Sequence, residues 1–470
     1  MTELKFDYLV AGAGAAGMAF VDTLLSESDA SVLIVDDRHR PGGHWNDAYP
    51  FVRLHQPSHF YGVASTPLGS KRIDSNGSNA GFFELASGAE VQSYFERVMN
   101  ERFLPSGRVR YLPMTRYIGA HEIENTLSGK RSNVTVNRRV VDSTYFQTTV
   151  PSRHERPFNV SPEASCIPPN RLPIDAPTHE HFCILGGGKT AMDVGVWLLD
   201  NGVSPERITW VCPRQSWLIN RDVTQGSVEF FEQCIGGFAN QMEANATATS
   251  VDDLFDRLEA CGFLVRIDKT QRPEMFHFAT ISHGEVAQLR RITQVVQQGH
   301  VDAIGDGHVR MKDDFEFDVP ADTLHIDCTA SAADFVSGRK RPVFEDDLIT
   351  IQALRVPNPC LSAAITAYVE ARYDNDEKRN QLCQVVPLPD DQVGWMRSTL
   401  GNMVNQAIWS QEPELNAFIT NCRLDGFAAV IRDADLNDPV RAQIMQKLSS
   451  NAMPAAGNLQ KLLAEADAQI

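Results

Sequence analysis

Phe6-Asp7-Tyr8-Leu9-Val10-Ala11, then Gly12-Ala13-Gly14-Ala15-Ala16-Gly17, an apolar run to Leu25, and Val32-Leu33-Ile34-Val35-Asp36-Asp37 decide the fold. An apolar strand runs through a GxGxxG turn into a helix, and a second apolar strand ends on acids. This spacing is that of a dinucleotide fingerprint. Gly12 permits the tight turn, Gly14 lets a pyrophosphate approach the backbone, and Gly17 lets helix and strand pack closely. Ala16 keeps the first helical turn small, and the helix N-terminus turns its free N–H groups and positive dipole end toward the phosphates. Asp36 lies 19 residues after Gly17, the right distance to accept hydrogen bonds from a ribose, with Asp37 beside it.

Working outward, 470 residues imply two to three domains, and 43% apolar with 22% charged residues suits a soluble globular protein. No run of about 18 apolar residues predicts a membrane span, and Met1-Thr2-Glu3-Leu4-Lys5 leads straight into the first strand without a secretory signal. The formal charge of −17 argues against a nucleic-acid surface. Nine irregularly spaced cysteines, with no CxxC pair, predict reduced and mostly buried thiols in a cytoplasmic protein. They exclude a redox dithiol of the usual spacing and speak against a zinc site.

After Asp37 comes Arg40-Pro41-Gly42-Gly43-His44-Trp45-Asn46. This resembles the GG-x-W segment that follows the ribose-binding acid in flavoproteins with two dinucleotide-binding domains, especially the flavin-containing and Baeyer–Villiger monooxygenases. The resemblance implies FAD in the first domain, with Gly43, His44 and Trp45 around its pyrophosphate and flavin. It also implies that Arg53-Leu54-His55-Gln56-Pro57-Ser58-His59 runs beside the isoalloxazine. His55, Gln56 and His59 are candidate FAD contacts or catalytic groups, because an imidazole exchanges protons near neutral pH. Pro151 to Pro177, rich in proline, reads as the linker out of the first domain.

A second fingerprint follows. His181-Phe182-Cys183-Ile184-Leu185 is a strand, Gly186-Gly187-Gly188-Lys189-Thr190-Ala191 fits GxGxxA, and Ile208-Thr209-Trp210-Val211-Cys212 leads to Pro213-Arg214. An arginine where an acid would bind the ribose favours NADPH, since a guanidinium pairs with the 2′-phosphate that a carboxylate repels. Gly186, Gly188, Lys189, Thr190 and Arg214 are the candidate NADPH contacts.

Leu324 to Ser331 resembles the strand that returns the chain to the FAD domain, with Ala330-Ser331 in place of the family's final glycine. The helix begun by Leu361-Ser362-Ala363 resembles the one whose N-terminus faces the flavin, which makes Ser362 either a flavin contact or an N-cap. The predicted class is α/β, with two Rossmann-like domains and a helical C-terminal region. The FAD domain is discontinuous (1–175 and 322–390), the NADPH domain is inserted (176–321), and residues 391–470 are helical.

The resemblance implies hydride transfer from NADPH to FAD, after which reduced flavin and O2 oxygenate a small organic substrate. The F-x-G-x-x-x-H-x-x-x-aromatic signature of the monooxygenases is absent between Pro151 and His181, so the chain is a divergent relative. Two alternatives stand beside this reading: a flavin oxidase or dehydrogenase acting on an organic donor with a vestigial second domain, and a non-catalytic flavin-binding redox sensor. The expected partners are the substrate and O2, without nucleic acid or membrane.

Overall fold

The computed structural model describes residues 4–146, 148–331 and 341–468. The first fingerprint folds as read, with β1 (Leu4–Ala11), α1 (Ala15–Glu27) and β2 (Val32–Val35). α2 (Gly88–Val98) opens on a Ser87–Glu90 capping box and buries the stripe Val91, Tyr94, Phe95 and Val98. β3 (Val109–Leu112) and β4 (Arg131–Asp142) follow. A second unit holds β5 (Ser165–Ile167), β6 (His181–Leu185), α3 (Lys189–Asp200), β7 (Ile208–Val211), α4 (Phe231–Thr247), β8 (Gln294–Val296) and β9 (Thr323–Asp327). β10 (Leu348–Thr350) and α5 (Pro359–Arg372) come back to the first unit. α6 (Gln392–Ser410), α7 (Pro413–Asn421) and α8 (Pro439–Asp467) end the chain.

Two parallel sheets result. The first runs β10–β4–β1–β2–β3, with Tyr8 opposite Val32 and Ala11 opposite Val35. The second runs β8–β7–β6–β9–β5, with Leu185 opposite both Val211 and Asp327. Parallel strands are covered on both faces, which is why their sequences are continuous apolar runs. α1 lies between its sheet and α5, so every residue from Gly17 to Leu25 is buried, Asp22 and Thr23 included.

Two sequence expectations shift. β9 lies inside the second sheet, between β6 and β5, so the crossing expected at 322 falls later, and the first sheet resumes at Phe344. A strand buried on both faces carries no mark of which sheet it joins. The proline-rich 151–177 stretch also contributes β5 and a two-residue strand, Asn159–Val160, to the second unit. Strands this short show no alternation. Part of the resembling 324–331 stretch is thus a strand of the second sheet, and residues 332–340 lie outside the described residues.

The C-terminal helices do not form a separate layer. Trp395 and Met396 of α6 and Leu459, Leu462 and Leu463 of α8 share a core with Trp217, Phe255 and Phe276. Leu415 and Ile419 of α7 join the core around α1 and α5. Among the described residues, no helix is long and apolar enough to cross a membrane, and all nine cysteines are free.

Candidate active site

The first cradle is built from backbone. Gly12 adopts φ +102°, open to glycine, and a Cβ there would meet Ser143 Oγ at 2.5 Å. A Cβ on Gly17 would lie 2.2 Å from Gly12 O, so the helix reaches the turn only because residue 17 has no side chain. Gly14 caps α1, and Gly42 N–H donates to Ala13 O at 2.8 Å, laying the GG-x-W segment over the turn. Gly43 then approaches so closely that a Cβ on it would sit 2.8 Å from Gly14 Cα. Ser143 Oγ donates to Ala11 O at 2.7 Å and pins the turn from β4.

Asp36 is 5% exposed, and its carboxylate accepts Ala13 N–H at 2.6 Å and Arg38 N–H at 2.8 Å. Burial raises its pKa against these two bonds. Asp37 stays at the surface, paired with Arg38 at 3.1 Å and Arg153 at 3.7 Å. Beside these acids the buried Tyr111 hydroxyl has no hydrogen-bond partner among the described residues. Trp45 is buried, donates from Nε1 to Tyr61 Oη at 2.8 Å, and stacks on His44 at 5.4 Å.

The 53–61 segment runs from this cradle toward the second. Burial pushes His55 down to about 4, helped by the Lys189 cation. His59 sits edge-on to Phe60 and Phe83, each at 4.8 Å, and burial pushes it down to about 4 as well. Gln56 is partly buried and makes no side-chain hydrogen bond to a described residue. Arg423, between α7 and α8, holds the far end of this segment. Its guanidinium donates to His59 O at 2.6 Å, Tyr61 O at 2.8 Å, Thr66 O at 2.6 Å and Val63 O. Nothing in the sequence around Cys422-Arg423-Leu424 announces this.

At the second cradle Gly186 adopts φ +124°, and a Cβ would strike Cys328 O at 2.7 Å. Gly188 caps α3, and a Cβ there would meet nothing within 4 Å, so the helix N-terminus faces open space. Arg214 is exposed beside Gly187 and forms no ion pair with a described residue, which suits the expected phosphate contact.

Lys189 does not suit it. Its ammonium is ion-paired to Asp193 and, at 3.2 Å, to Glu285, which also binds Arg221 at 2.7 Å. The (i, i+4) spacing on α3 puts Asp193 within reach of Lys189. Burial would raise Glu285, but the Lys189 and Arg221 cations hold it down to about 2. Burial would likewise strip the Lys189 proton, and the two carboxylates keep it on. Tyr49 Oη donates to Asp193 Oδ2 at 2.6 Å and also meets Thr190, so the expected NADPH contacts Lys189 and Thr190 join the two units. Tyr49, Asp193 and Glu285 escaped the sequence reading, because the Tyr49–Asp193 and Lys189–Glu285 contacts join residues 144 and 96 positions apart.

Ser362 is corrected too. It is fully buried, its Oγ accepts Leu354 N–H at 3.1 Å and Arg355 N–H at 3.0 Å, and it donates to Asn358 O at 2.8 Å. The N-cap of α5 is Asn358, which accepts Leu361 N–H at 3.0 Å. The Ser362 hydroxyl therefore fixes the 354–358 turn and is committed to the protein.

Residues 10–64 match the family described as NAD(P)-binding Rossmann-like domain. Over 465 residues the chain is 43% identical to the uncharacterized protein Rv2000 of Mycobacterium tuberculosis, covering 99% of this chain and 86% of that one. The chain belongs to the same family as Rv2000. The uncharacterized protein Mb2023 of Mycobacterium bovis, another member, matches with the same values.

Among solved structures, the chain is similar to the OTEMO complex with FAD and NADP (TM-score 0.49, 14% identity, 91% of this chain and 92% of that one). It is also similar to the polycyclic ketone monooxygenase of the fungus Thermothelomyces thermophila (TM-score 0.48, 13% identity, 97% and 89%). Likeness this loose fixes no residue's role.

Proposed function

We propose that this protein is an FAD-dependent, NADPH-using oxidoreductase that oxygenates a small organic substrate with O2. The observation that carries the reading is the pair of glycine-rich cradles, Gly12–Gly17 and Gly186–Gly188, joined through Tyr49 and Asp193. The first cradle fits FAD. Gly14 offers bare backbone, Asp36 keeps lone pairs beside its two backbone bonds, and the unpartnered Tyr111 hydroxyl lies next to it. At the second, the open N-terminus of α3 fits a pyrophosphate and Arg214 fits a 2′-phosphate.

When bound, FAD supplies the hydride acceptor and the reactivity toward oxygen. The chain's own groups bind, orient and exclude water. Gly42 and Gly43 close over Gly14, the buried Trp45 and Tyr61 are bonded to each other, and Arg423 sets the backbone from 59 to 66. His55 and His59 are neutral at pH 7, so they act as hydrogen-bond donors or acceptors and not as fixed positive charges.

The enclosure of Lys189 favours a second reading, a flavin oxidase or dehydrogenase with a vestigial second cradle. Anaerobic mixing of the purified, flavin-loaded protein with NADPH separates the two. Rapid bleaching of the flavin absorbance is expected. Bleaching by an organic donor but by neither NADPH nor NADH means the second reading. Arg214→Ala is expected to weaken NADPH about tenfold or more while leaving NADH nearly unchanged. Equal weakening of both coenzymes removes the coenzyme assignment.

A further inference from the structure

Behind the segment that carries His55 and His59 lies a cavity of about 460 Å³. Three parts of the chain wall it. Arg53 is fixed in a two-residue bridge with Ser87, flanked by Leu54 N–H to Ala86 O at 2.9 Å and Gly88 N–H to Val52 O at 3.0 Å. α2 contributes Glu90, Ser93 and Arg97, which helical spacing sets along one face. The loop before Glu84 brings in Arg72.

The carboxylates in this wall are already engaged. Glu84 accepts Ser70 N–H at 2.5 Å and Ser70 Oγ at 3.0 Å, and pairs with Arg72 at 3.2 Å. Glu90 accepts Ser87 N–H at 2.8 Å and Ser87 Oγ at 2.7 Å in the capping box. Arg53 and Arg97, by contrast, have no carboxylate within ion-pair distance among the described residues. Arg53 donates once, to Leu85 O at 3.0 Å. Arg97 reaches Pro67 O at 3.4 Å and lies 5.8 Å above the Tyr94 ring. The Ser93 hydroxyl has no hydrogen bond to a described residue. In a chain of net charge −17 this wall gathers three arginines.

We propose that this cavity binds the carboxylate or phosphate group of a small acidic molecule, gripped between Arg53 and Arg97 with Ser93 as a third donor. Planar guanidinium forks match both oxyanions through paired N–H bonds. The backbone bridge at Arg53 and the helix under Arg97 fix the two Cα positions before the ligand arrives, which lowers part of the ordering cost of binding. The site stands whether the two cradles serve an oxygenase or an oxidase, because it uses neither nucleotide.

Calorimetric titration of the full-length protein with inorganic phosphate and, separately, with succinate tests this, with sodium chloride at equal ionic strength as the blank. Saturable binding of one or both probes is expected, about tenfold weaker in Arg53→Gln and in Arg97→Gln, and which probe binds tells phosphate from carboxylate. Arg432→Gln, a surface change elsewhere, should leave it alone. Circular dichroism checks each fold, and Arg53→Lys and Arg97→Lys, which keep the charge but lose the fork, serve if a glutamine variant fails to fold; they should still weaken binding. Absence of binding by both probes overturns the proposal. So does binding that survives the Arg53 and Arg97 changes, as phosphate held at Gly12 or Gly186 would, or that falls equally in the Arg432 control.

Discussion

His44, His55 and His59 are three imidazoles that burial pushes down to about 4. Each binds a proton in the unfolded chain below pH 6.5 but resists one in the folded chain until about pH 4. Between those values the unfolded state holds more protons, so stability falls as pH falls. Glu285, held at about 2, adds a loss of its own only below about pH 4.5. Urea midpoints are therefore expected to drop between pH 7 and pH 5, and His55→Gln should flatten part of that slope. A midpoint constant from pH 7 to 5 would show these rings to be solvated. Lys189 makes the second prediction at this scale. Lys189→Met leaves Asp193 and Glu285 facing each other without their shared cation, and a broken buried pair costs about 3–5 kcal/mol. Chemical denaturation measures it. An unchanged midpoint with a raised NADPH KM would return Lys189 to the phosphate.

At the scale of elements, the cradle at the start of α1 separates glycines that build the fold from those that admit a ligand. Gly17→Ala drives a methyl to 2.2 Å from Gly12 O, so α1 must leave its turn. A loss of about 1–3 kcal/mol is expected, as for other overpacked sites. Gly14→Ala meets only the Gly43 backbone, Cα at 3.5 Å and N at 4.0 Å. That variant is expected to fold with a near-normal melting temperature and to purify with little flavin, because its methyl stands where the pyrophosphate would pass. Flavin content by absorbance, set beside thermal melting, distinguishes the two. A Gly14→Ala protein that retains full yellow colour would place the nucleotide elsewhere. The elements themselves were legible. Both βαβ units stand where the apolar runs and glycine spacing put them. β5 and the sheet membership of β9 were hidden, since a three-residue edge strand and a doubly buried strand have no periodic signature.

For the whole molecule, Arg423 ties the C-terminal region to the candidate site. Its guanidinium serves four backbone carbonyls of residues 59–66 and no carboxylate within ion-pair distance among the described residues. Arg423→Ala removes all four contacts, which Nη1 and Nη2 make, while Arg423→Lys keeps the charge with fewer directed bonds. Hydrogen exchange should rise across 59–66 in the alanine variant and less in the lysine variant, with α1 and α3 protected as before. Unchanged exchange in that segment would show the clamp to be idle. The helices after residue 391 are equally integral, because α8 lies along α4 and shares its core with the second unit.

The chain by itself determined whatever depends on neighbours close in sequence. These are the two glycine turns, the strands that feed them, the acids after β2 and the arginine after β7. Such features follow from local backbone geometry and hydrogen bonding, which a short stretch of residues specifies. Only the tertiary structure decided what Lys189 and Arg423 do. A charged or polar side chain takes its role from the group it meets, and here those groups arrive from 96 positions away in the case of Glu285 and 357 to 364 in the case of the carbonyls around Arg423. Burial then sets the strength of each contact, and burial is a property of the packed molecule, not of the residue.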